Sequence, residues 1–358
     1  MLIGVPKEIK EDEYRVGLTP RSVASLSSQG HKVFIEYDLG AKIGFSNQQY
    51  IDSGATISDT PEDLYQSSEL IVKVKEPQIS ELPYLNDKHI LFTFLHLAGN
   101  PDLACMLRDT GVTGLAYETL VASDGSLPLL APMSEIAGKI SIVVGNYHLL
   151  KPYNGKGVLL SRINDLDLRT ITVIGAGVAG RNAIDASINL GAKVNVIDLD
   201  EEKLRTLKQK YPINLEGYLS NDSNITKCIS ESDLIIGSVY LTGKKAPTII
   251  TRSMLEQIKP GTVLVDISID QGGCFETSKP TTHQDPTFLI DDILHYCVSN
   301  MPGAVPLTAS ESLNSASLSY VQKLANNDLN LLLNEQDFKS GLNIMAGEFR
   351  HPSLTDII

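Results

Sequence analysis

The sequence predicts an α/β protein with two Rossmann-like domains, of which the central one is a doubly wound parallel sheet. Three observations carry this prediction. Short apolar runs alternate with amphipathic stretches in the first part of the chain, a second series of the same kind opens at Thr170, and a glycine-rich turn separates the first strand and helix of that second series. Strands that alternate with helices are typical of βαβ units and of a mostly parallel sheet.

The composition is that of a globular protein. Of the 358 residues, 42% are hydrophobic and 20% are charged, a ratio that excludes a disordered chain or a fibre. At about 100–200 residues per domain, this length predicts two domains. The chain has 30 Lys and Arg against 43 Asp and Glu, a formal net charge of −13. This acidity argues against nucleic acid or an anionic membrane as a partner, because both are bound mainly through Lys and Arg.

The cysteines and the N-terminus predict a soluble cytoplasmic protein. The four cysteines, Cys105, Cys228, Cys274 and Cys297, are far apart and form no CxxC pair. Neither a metal site nor a disulfide framework is therefore indicated, and reduced thiols are expected. Charge appears within the first seven residues, which is not the pattern of a signal peptide. No stretch reaches the roughly 20 apolar residues that span a bilayer.

The first series predicts strands and helices in alternation. A longer amphipathic stretch, 131–150, has Pro132 near its start and is predicted to be a helix that connects the two domains. The predicted strands cover 2–6, 31–37, 70–77, 89–97 and 112–117, and the predicted helices cover 20–30, 63–70 and 101–110.

The second series predicts a dinucleotide-type domain in the middle of the chain. We place this domain at 131–305 and the first domain at 1–130 plus 306–358, because the chain from Ser310 onward is predicted to be largely helical and to rejoin the first domain. The predicted strands are 170–175, 192–200, 233–239 and 262–270, with a helix over 178–191 and further short strands with a Pro/Gly-rich turn over 288–306.

One glycine pattern points to a cofactor. Residues 175–180, GAGVAG, match GxGxxG, and Gly175, Gly177 and Gly180 are its glycines. The pattern follows a predicted strand and opens a predicted helix, so the glycines permit a tight turn and close approach of a pyrophosphate to the helix N-terminus. Asp198 ends the next strand, 23 residues after Gly175, where it can bind a ribose 2′-hydroxyl and would repel a 2′-phosphate. The pattern favours NAD over NADP, and the alternative is a purely structural turn.

Two acid/base candidates lie at predicted strand ends. Asp270 closes the predicted strand 262–270, and His96 follows the apolar run ILFTFL. Ligands of open α/β sheets bind outside the carboxyl ends of the strands, which makes both residues candidates for a site. By spacing alone, a turn-capping aspartate and a hydrogen-bonded structural histidine remain open alternatives.

Two basic candidates lie in the first domain. Lys75 falls near the end of the predicted strand 70–77, on the same face as Ile71 and Lys73, and a lysine on a half-buried strand needs a counter-charge or an anionic ligand. Arg15 lies in the acidic segment KEDEYRVG. The alternatives are a lysine that reaches solvent and an arginine in a surface ion pair.

Taken together, these segments resemble the alanine dehydrogenase family over nearly the whole chain. The resemblance implies a substrate domain built from both chain ends around a Rossmann NAD domain, usually assembled as hexamers. The strings that carry it, in order, are GVPKEIKEDEYRVGLTP, VKVKEP, LFTFLHLA, YETL, DGSLPLLAPMSEIAG, GAGVAG, VLVDISIDQGGCFETSKPTTH and HYCVSNMPGAVP.

The same resemblance assigns roles to residues. It implies that Arg15 and Lys75 bind the substrate carboxylate and carbonyl, and that His96 and Asp270 are the acid/base residues. Beyond the glycines of the turn, the implied cofactor contacts are Ser134, Val178, Ala179, Asp198, Lys203, Ser220, Val239, Tyr240, Ile267, Ser268, Ile269, Asp270, Lys279, Val298, Ser299, Asn300 and Met301.

Three positions depart from the family pattern. The segment SRINDLDL (161–168) replaces a glycine-rich turn, and Lys279 stands where arginine is common. Some relatives bind magnesium through a glutamate that matches Glu118 and a histidine that matches Asn327 here, so no metal is predicted.

The implied reaction is the NAD-dependent reversible oxidative deamination of L-alanine to pyruvate and ammonia by a homo-oligomer. Two other functions share parts of the pattern. One is the soluble NAD-binding module of a transhydrogenase, and the other is an oxidoreductase that condenses a 2-oxo acid with an amine. A catalytically silent scaffold is disfavoured because Arg15, Lys75, His96 and Asp270 are all present.

Overall fold

The computed structural model describes residues 1–241 and 245–357. Residues 242–244 and 358, which belong to the predicted domains, lie outside these ranges. The chain forms two compact units, one of residues 1–133 with 305–358 and the other of residues 134–304. The sequence predicts these divisions at 130/131 and 305/306.

The strands of the described residues are short, and most lie where an apolar run was predicted. In chain order they are β1 Leu2–Val5, β2 Lys32–Glu36, β3 Thr56–Ser58, β4 Leu70–Val72, β5 Ile90–Thr93, β6 Thr113–Ala116, β7 Thr170–Ile174, β8 Lys193–Asp198, β9 Leu215–Leu219, β10 Leu234–Gly237, β11 Val263–Asp266, β12 Thr287–Ile290, β13 Ile293–Tyr296, β14 Leu342–Met345 and β15 Glu348–Phe349.

Two helices of the first unit, Pro20–Ser28 and Pro101–Asp109, begin at side chains suited to a helix start. Thr19 and Asn100 accept hydrogen bonds from backbone N–H groups of the helices that follow them, and proline occupies the first turn of both. The helices are α1 Pro20–Ser28, α2 Asn47–Asp52, α3 Pro61–Gln66, α4 Pro101–Asp109, α5 Ala131–His148, α6 Val178–Asn189, α7 Glu201–Lys210, α8 Asp222–Glu231, α9 Pro306–Asn326, α10 Leu329–Leu332 and α11 Gln336–Gly341.

The first unit has the strand order β15-β14-β6-β5-β4-β1-β2-β3. From β3 to β6 all strands are parallel, and β14 and β15 add an antiparallel hairpin at the edge. Reading from β3, the parallel part has the order 3-2-1-4-5-6 of a doubly wound nucleotide-binding fold. The chain reverses its winding between β1 and β4, so the loops after these two strands flank the switch point of this sheet.

The second unit repeats this arrangement. Its strand order is β12-β13-β11-β10-β7-β8-β9, parallel except for β12, which pairs antiparallel with β13. Its switch point lies between β7 and β10. The predicted fold class, α/β with two Rossmann-like domains and a doubly wound central sheet, is confirmed.

Three predicted strands end earlier than the apolar pattern indicated. Strand β4 ends at Val72, β5 at Thr93 and β11 at Asp266, so Lys75, His96 and Asp270 lie in the loops beyond them. The predicted alternation of faces over 262–270 is wrong beyond Asp266, where a 3₁₀ turn begins. Past these strand ends, the backbone N–H groups of Val74, His96 and Ser268 bind carboxylates instead of a neighbouring strand.

The C-terminal segment is not helical throughout. After α9, α10 and α11, the chain forms the β14–β15 hairpin, which pairs with β6. The Ile344 side chain of this hairpin is fully buried in the apolar cluster of the first unit, so side-chain burial outweighs the helical pattern there. Within the described residues, no helix combines the length and the apolar character needed to cross a membrane.

Candidate active site

The glycine-rich turn between β7 and α6 packs closely against the end of β10. Gly175 has φ +96°, and a Cβ atom there would lie 2.8 Å from the carbonyl oxygen of Ser238. A Cβ atom on Gly180 would overlap the carbonyl oxygen of Gly175. The hydroxyl of Ser238 donates to the carbonyl oxygens of Ile174 and Gly175. Gly175 and Gly180 are therefore required by the fold itself.

Gly177 is not required by the fold. Its φ of −71° is open to any residue, and a Cβ atom there would meet nothing within 4 Å. It stands at the N-cap of α6, where backbone N–H groups and the helix dipole attract anions, and no side chain makes a capping hydrogen bond. A residue without a side chain at this exposed, positive position fits the close approach of a pyrophosphate.

Asp198 lies at the end of β8, beside the turn. Its carboxylate accepts hydrogen bonds from the backbone N–H of Ala176 at 2.6 Å and of Asp200 at 2.9 Å. The ammonium group of Lys203 is 3.9 Å from the same carboxylate. A carboxylate has about four acceptor positions, so two backbone bonds leave acceptor capacity for a ribose hydroxyl.

The remaining cofactor candidates lie mostly beyond the carboxyl ends of strands of the second sheet. Ser220 follows β9, Val239 and Tyr240 follow β10, Ile267, Ser268 and Ile269 follow β11, and Val298, Ser299, Asn300 and Met301 follow β13. Ser268 joins two of these loops, because its hydroxyl donates to the carbonyl oxygen of Val239 at 2.8 Å. The fold therefore brings these candidates to one edge of the sheet.

Four candidates differ from that pattern. Ser134 lies on α5. Lys279 is exposed, and its ammonium group lies 4.4 Å from the ring centre of Phe288. Val178 and Ala179 lie in the first turn of α6, and Val178 is exposed.

Asp270 is exposed in the 3₁₀ turn Ile267–Gln271. Its carboxylate accepts a long hydrogen bond of 3.4 Å from the backbone N–H of Asn300, a residue with φ +60°. Asp270 and the loop after β13 are therefore neighbours, although 30 residues separate them in sequence.

Asp266 is a residue that the sequence analysis missed. Its fully buried carboxylate accepts hydrogen bonds from the backbone N–H groups of Ser268, Cys274 and Phe275 and from the hydroxyl of Ser278. Burial raises the pKa of this carboxyl, while these donors act to lower it. Asp266 ties both ends of the loop that carries Asp270. The string DISID offers two aspartates, of which the first is buried and the second is exposed.

Arg15 is buried in the first unit. Its guanidinium forms a bidentate ion pair with Glu13, with Nε 2.7 Å from Oε1 and Nη2 2.6 Å from Oε2. Nη1 lies 3.1 Å from the sulfur of Met133. The alternative of a surface ion pair is wrong, because both side chains are almost completely buried. Glu13 fixes the plane of the guanidinium, which suits Arg15 to planar recognition of a carboxylate.

Lys75 and Lys73 have different environments. Lys73 is fully buried between the carboxylates of Glu8, at 3.2 Å, and Glu81, at 2.8 Å. Lys75 is half-buried and lies past the strand end, so the predicted shared strand face is wrong. Glu8 accepts the N–H of Lys75 at 3.2 Å, and Thr93 donates to the carbonyl oxygen of Lys75 at 3.0 Å. The backbone of Lys75 is held on both sides.

His96 is exposed and has a left-handed backbone, with φ 49°. Its ring stacks on Phe94, with the centroids 5.7 Å apart and the planes 2° from parallel. The carboxylate of Glu118 accepts the backbone N–H of His96 at 2.6 Å.

Arg15 and Lys75 lower the pKa of the Glu13 carboxyl. Burial alone would raise the pKa of the Glu13 carboxyl, but the hydrogen bonds and charge of Arg15, with the charge of Lys75, lower it to about 2. The first unit thus holds two cations near one shared carboxylate. Such a group can bind a small carboxylate ligand.

The second unit has a doubly wound sheet with a dinucleotide-type turn, and the first unit offers buried cations and an exposed histidine. Together these features define a dinucleotide-dependent α/β oxidoreductase. A profile described as "Alanine dehydrogenase/PNT, N-terminal domain" matches residues 4–137, and the profile of the corresponding C-terminal domain matches residues 141–352. The chain therefore belongs to the alanine dehydrogenase/PNT family.

Individual relatives agree with this family. An alanine dehydrogenase of Halomonas elongata is 44% identical over 357 residues, which cover 99% of this chain and 96% of that protein. A solved L-alanine dehydrogenase structure has a TM-score of 0.96 and 42% identity, covering 100% of this chain and 99% of that one. The structure of a transhydrogenase from Sinorhizobium meliloti has a TM-score of 0.84 at 22% identity, covering 99% of this chain and 100% of that one. This last likeness shows the fold alone.

Gly177→Ala should fold normally and bind NADH poorly. Its Cβ atom meets no protein atom within 4 Å, so we expect the free energy of unfolding to change by no more than about 1 kcal/mol. Where a pyrophosphate must approach the backbone, the same methyl group should weaken NADH binding about ten-fold or more. Fluorescence titration measures the binding. Gly99→Ala is the control, because it also meets nothing within 4 Å. Unchanged NADH affinity of Gly177→Ala would contradict the assigned role.

Acid should lower the free energy of unfolding, because it protonates Glu13. The folded-state pKa of about 2 lies below the ordinary value of 4.5, so the stabilisation is complete above pH 4.5 and is lost as the pH falls towards 2. The full contribution is about 3 kcal/mol, of which about 2 kcal/mol is lost by pH 3. Urea unfolding at pH 6 and pH 3 should therefore show a smaller loss for Glu13→Gln than for the parent. Glu11→Gln, an exposed neighbour, should behave like the parent, and equal losses in all three would refute the assignment.

Proposed function

We propose that this protein catalyses the NAD-dependent reversible oxidative deamination of L-alanine to pyruvate and ammonia. The observation that carries the proposal is the 44% identity to an alanine dehydrogenase over 99% of the chain. We assign substrate binding to the unit of residues 1–133 and 305–358, and NAD binding to the unit of residues 134–304.

NAD is the cofactor, and bound NAD supplies a hydride acceptor for the substrate Cα. The N-terminus of α6, with Gly177 at its cap, would hold the pyrophosphate, because its N–H groups and dipole favour an anion. Asp198 would accept hydrogen bonds from the ribose and oppose the extra phosphate of NADP. The loops after β10, β11 and β13 would complete the binding surface.

Arg15 and Lys75 bind the substrate in this proposal. The Arg15 guanidinium, oriented by Glu13, pairs with the carboxylate, and the Lys75 ammonium polarises the carbonyl or imine. Two cations in fixed positions lower the free energy of charge that develops on the substrate during reaction. A local cationic group of this kind would let a chain with a net charge of −13 bind an anionic substrate.

His96 and Asp270 move protons in this proposal. Deamination needs water to add to the imine, and the resulting carbinolamine must collapse with loss of ammonia, so protons must leave the water and reach the nitrogen. Both side chains are exposed at the carboxyl side of a parallel sheet, where ligands of such sheets bind.

Two rival functions remain distinguishable. A transhydrogenase module would bind NAD without using alanine, and a condensing oxidoreductase would need a larger amine in place of ammonia. The buried Arg15–Glu13 pair and Lys75 support a small carboxylate substrate.

We also propose a cytoplasmic homo-oligomer, with the hexamer that the family resemblance implies. The four cysteines are free thiols in the structure, which suits a reducing compartment. The segment 161–168 exposes Ile163 and Leu166, which suits a contact between subunits. A molecular mass in solution equal to that of a single chain would contradict the proposed oligomer.

An assay of NAD reduction across small amino acids tests the activity. The purified chain alone should reduce NAD with L-alanine and form pyruvate, and it should oxidise NADH with pyruvate and ammonia. The value of kcat/KM should be much higher with NAD than with NADP, because of the Asp198 carboxylate. Equal values for the two cofactors would contradict the role of Asp198. No reaction with alanine alongside NADH binding would favour the transhydrogenase module, and activity only with larger amines would favour the condensing enzyme.

Removing either proposed acid/base group should reduce turnover. Asp270→Asn keeps the shape but cannot carry a proton, and His96→Asn removes the imidazole while tolerating the left-handed backbone. Each should lower kcat by about 10²–10⁴-fold and leave NADH binding measurable. Asp222→Asn, on α8 in the same unit as Asp270, is the matched control and should keep parental kcat. Near-parental kcat in either test variant would show that the mechanism is wrong.

A further inference from the structure

Glu118 stands beside the loop that carries His96. It belongs to the 3₁₀ turn Tyr117–Thr119, which follows β6 directly. Strand β6 lies next to β5, with Ala116 in register with Thr93. The turn after β6 and the loop after β5 therefore leave the same edge of the first sheet side by side.

Glu118 binds two consecutive backbone groups of that loop. Its Oε2 accepts the N–H of Leu95 at 3.2 Å, and its Oε1 accepts the N–H of His96 at 2.6 Å. Hydrogen bonds to an ionised acceptor are about twice as strong as neutral ones. One carboxylate thus fixes the peptide planes on both sides of the Leu95 Cα atom.

The left-handed backbone of His96 needs such a constraint. Its φ of 49° and ψ of 32° are left-handed, a region that costs a non-glycine residue free energy and persists only where the surroundings impose it. The same 3₁₀ turn also supports the ring. The His96 ring stacks on Phe94, and the edge of Tyr117 packs against Phe94 with the centroids 5.1 Å apart.

We propose that Glu118 is the positioning residue of His96. Through the two N–H groups it fixes the peptide plane that precedes the His96 Cα atom, and the N–H of Gly99 binds the carbonyl oxygen of His96 on the other side. The left-handed conformation held between these contacts aims the imidazole at the substrate without contact between Glu118 and the substrate. The inference rests on the proposed acid/base role of His96. It gives this glutamate a task that needs no metal.

A double-mutant cycle tests the proposal. Glu118→Gln keeps the size of the side chain but turns one acceptor oxygen into an NH₂ donor, which faces one of the two N–H groups. The partner variant is His96→Asn, and the cycle is completed by the double variant. Glu69→Gln is the matched control, because Glu69 accepts the backbone N–H of Leu2 at 2.9 Å at the amino end of β1. Glu118→Asp keeps both oxygens but withdraws them by one methylene, and serves as the second variant.

The proposal predicts a loss in kcat that depends on His96. Glu118→Gln should lower kcat for pyruvate amination about 10- to 100-fold, the scale for a displaced catalytic group, and leave KM for pyruvate and the NADH dissociation constant unchanged within about two-fold. The kcat of Glu118→Asp should lie between that of Glu118→Gln and that of the parent, and the kcat of Glu69→Gln should equal that of the parent. In the His96→Asn background, Glu118→Gln should cost no further activity.

Three results would overturn the proposal. If the losses of Glu118→Gln and His96→Asn are additive, Glu118 acts independently of His96, either on the substrate itself or through the fraction of folded protein. If Glu118→Gln and Glu118→Asp both keep parental kcat while His96→Asn does not, the positioning role is wrong and the acid/base role of His96 stands. Near-parental kcat of His96→Asn would reject the acid/base role itself, and the inference with it.

Discussion

The candidate site depends on one interaction, in which a carboxylate accepts two or more backbone N–H groups just past the end of a parallel strand. Glu8, Glu118, Asp198 and Asp266 all make it. Where a strand ends inside a unit, the N–H groups beyond its end have no carbonyl acceptor on a neighbouring strand. A buried N–H group without a hydrogen-bond partner lowers the free energy of unfolding by about 1–3 kcal/mol. An ionised oxygen is the strongest available partner. These carboxylates therefore stabilise the loops that follow the strands β4, β5, β7, β8 and β11.

This use of carboxylates also explains how an acidic chain can present cationic groups to a ligand. Glu8 binds backbone N–H groups and Lys73 together, and Glu13 pairs with Arg15. Because these negative charges are bound inside the unit, they orient the neighbouring cations. The pKa of Glu13 near 2 means that Arg15 keeps this partner over the whole physiological range of pH. The net charge of −13 is thus no guide to the local charge at the candidate substrate site.

Patterns that are local in sequence predicted the fold class and the glycine turn. The spacing of Gly175, Gly177 and Gly180 indicates the backbone conformation of the turn directly. Apolar periodicity indicates which segments are buried. The ends of the strands were not predicted, because periodicity describes side chains and the ends depend on partners of the backbone. Glu118 lies 22 residues from the N–H group of His96 that it binds, and no pattern within one segment shows such a pair. Asp266 binds donors only 2 to 12 residues away, but these are backbone and hydroxyl groups of a loop, which apolar periodicity does not describe.

Three of the left-handed residues follow the ends of parallel strands. His96 follows β5 with φ 49°, Asn300 follows β13 with φ 60°, and Gly175 follows β7 with φ 96°. Each of these loops makes a hydrogen bond to a carboxylate, since Glu118 binds His96, Asp270 binds Asn300, and Asp198 binds the residue after Gly175. A strained residue is stable only where the surroundings impose its conformation. Asp198 provides that constraint from the end of a neighbouring strand, and Glu118 and Asp270 provide it from the 3₁₀ turns that follow β6 and β11. An exposed loop residue such as His96 can therefore keep a fixed direction without being buried.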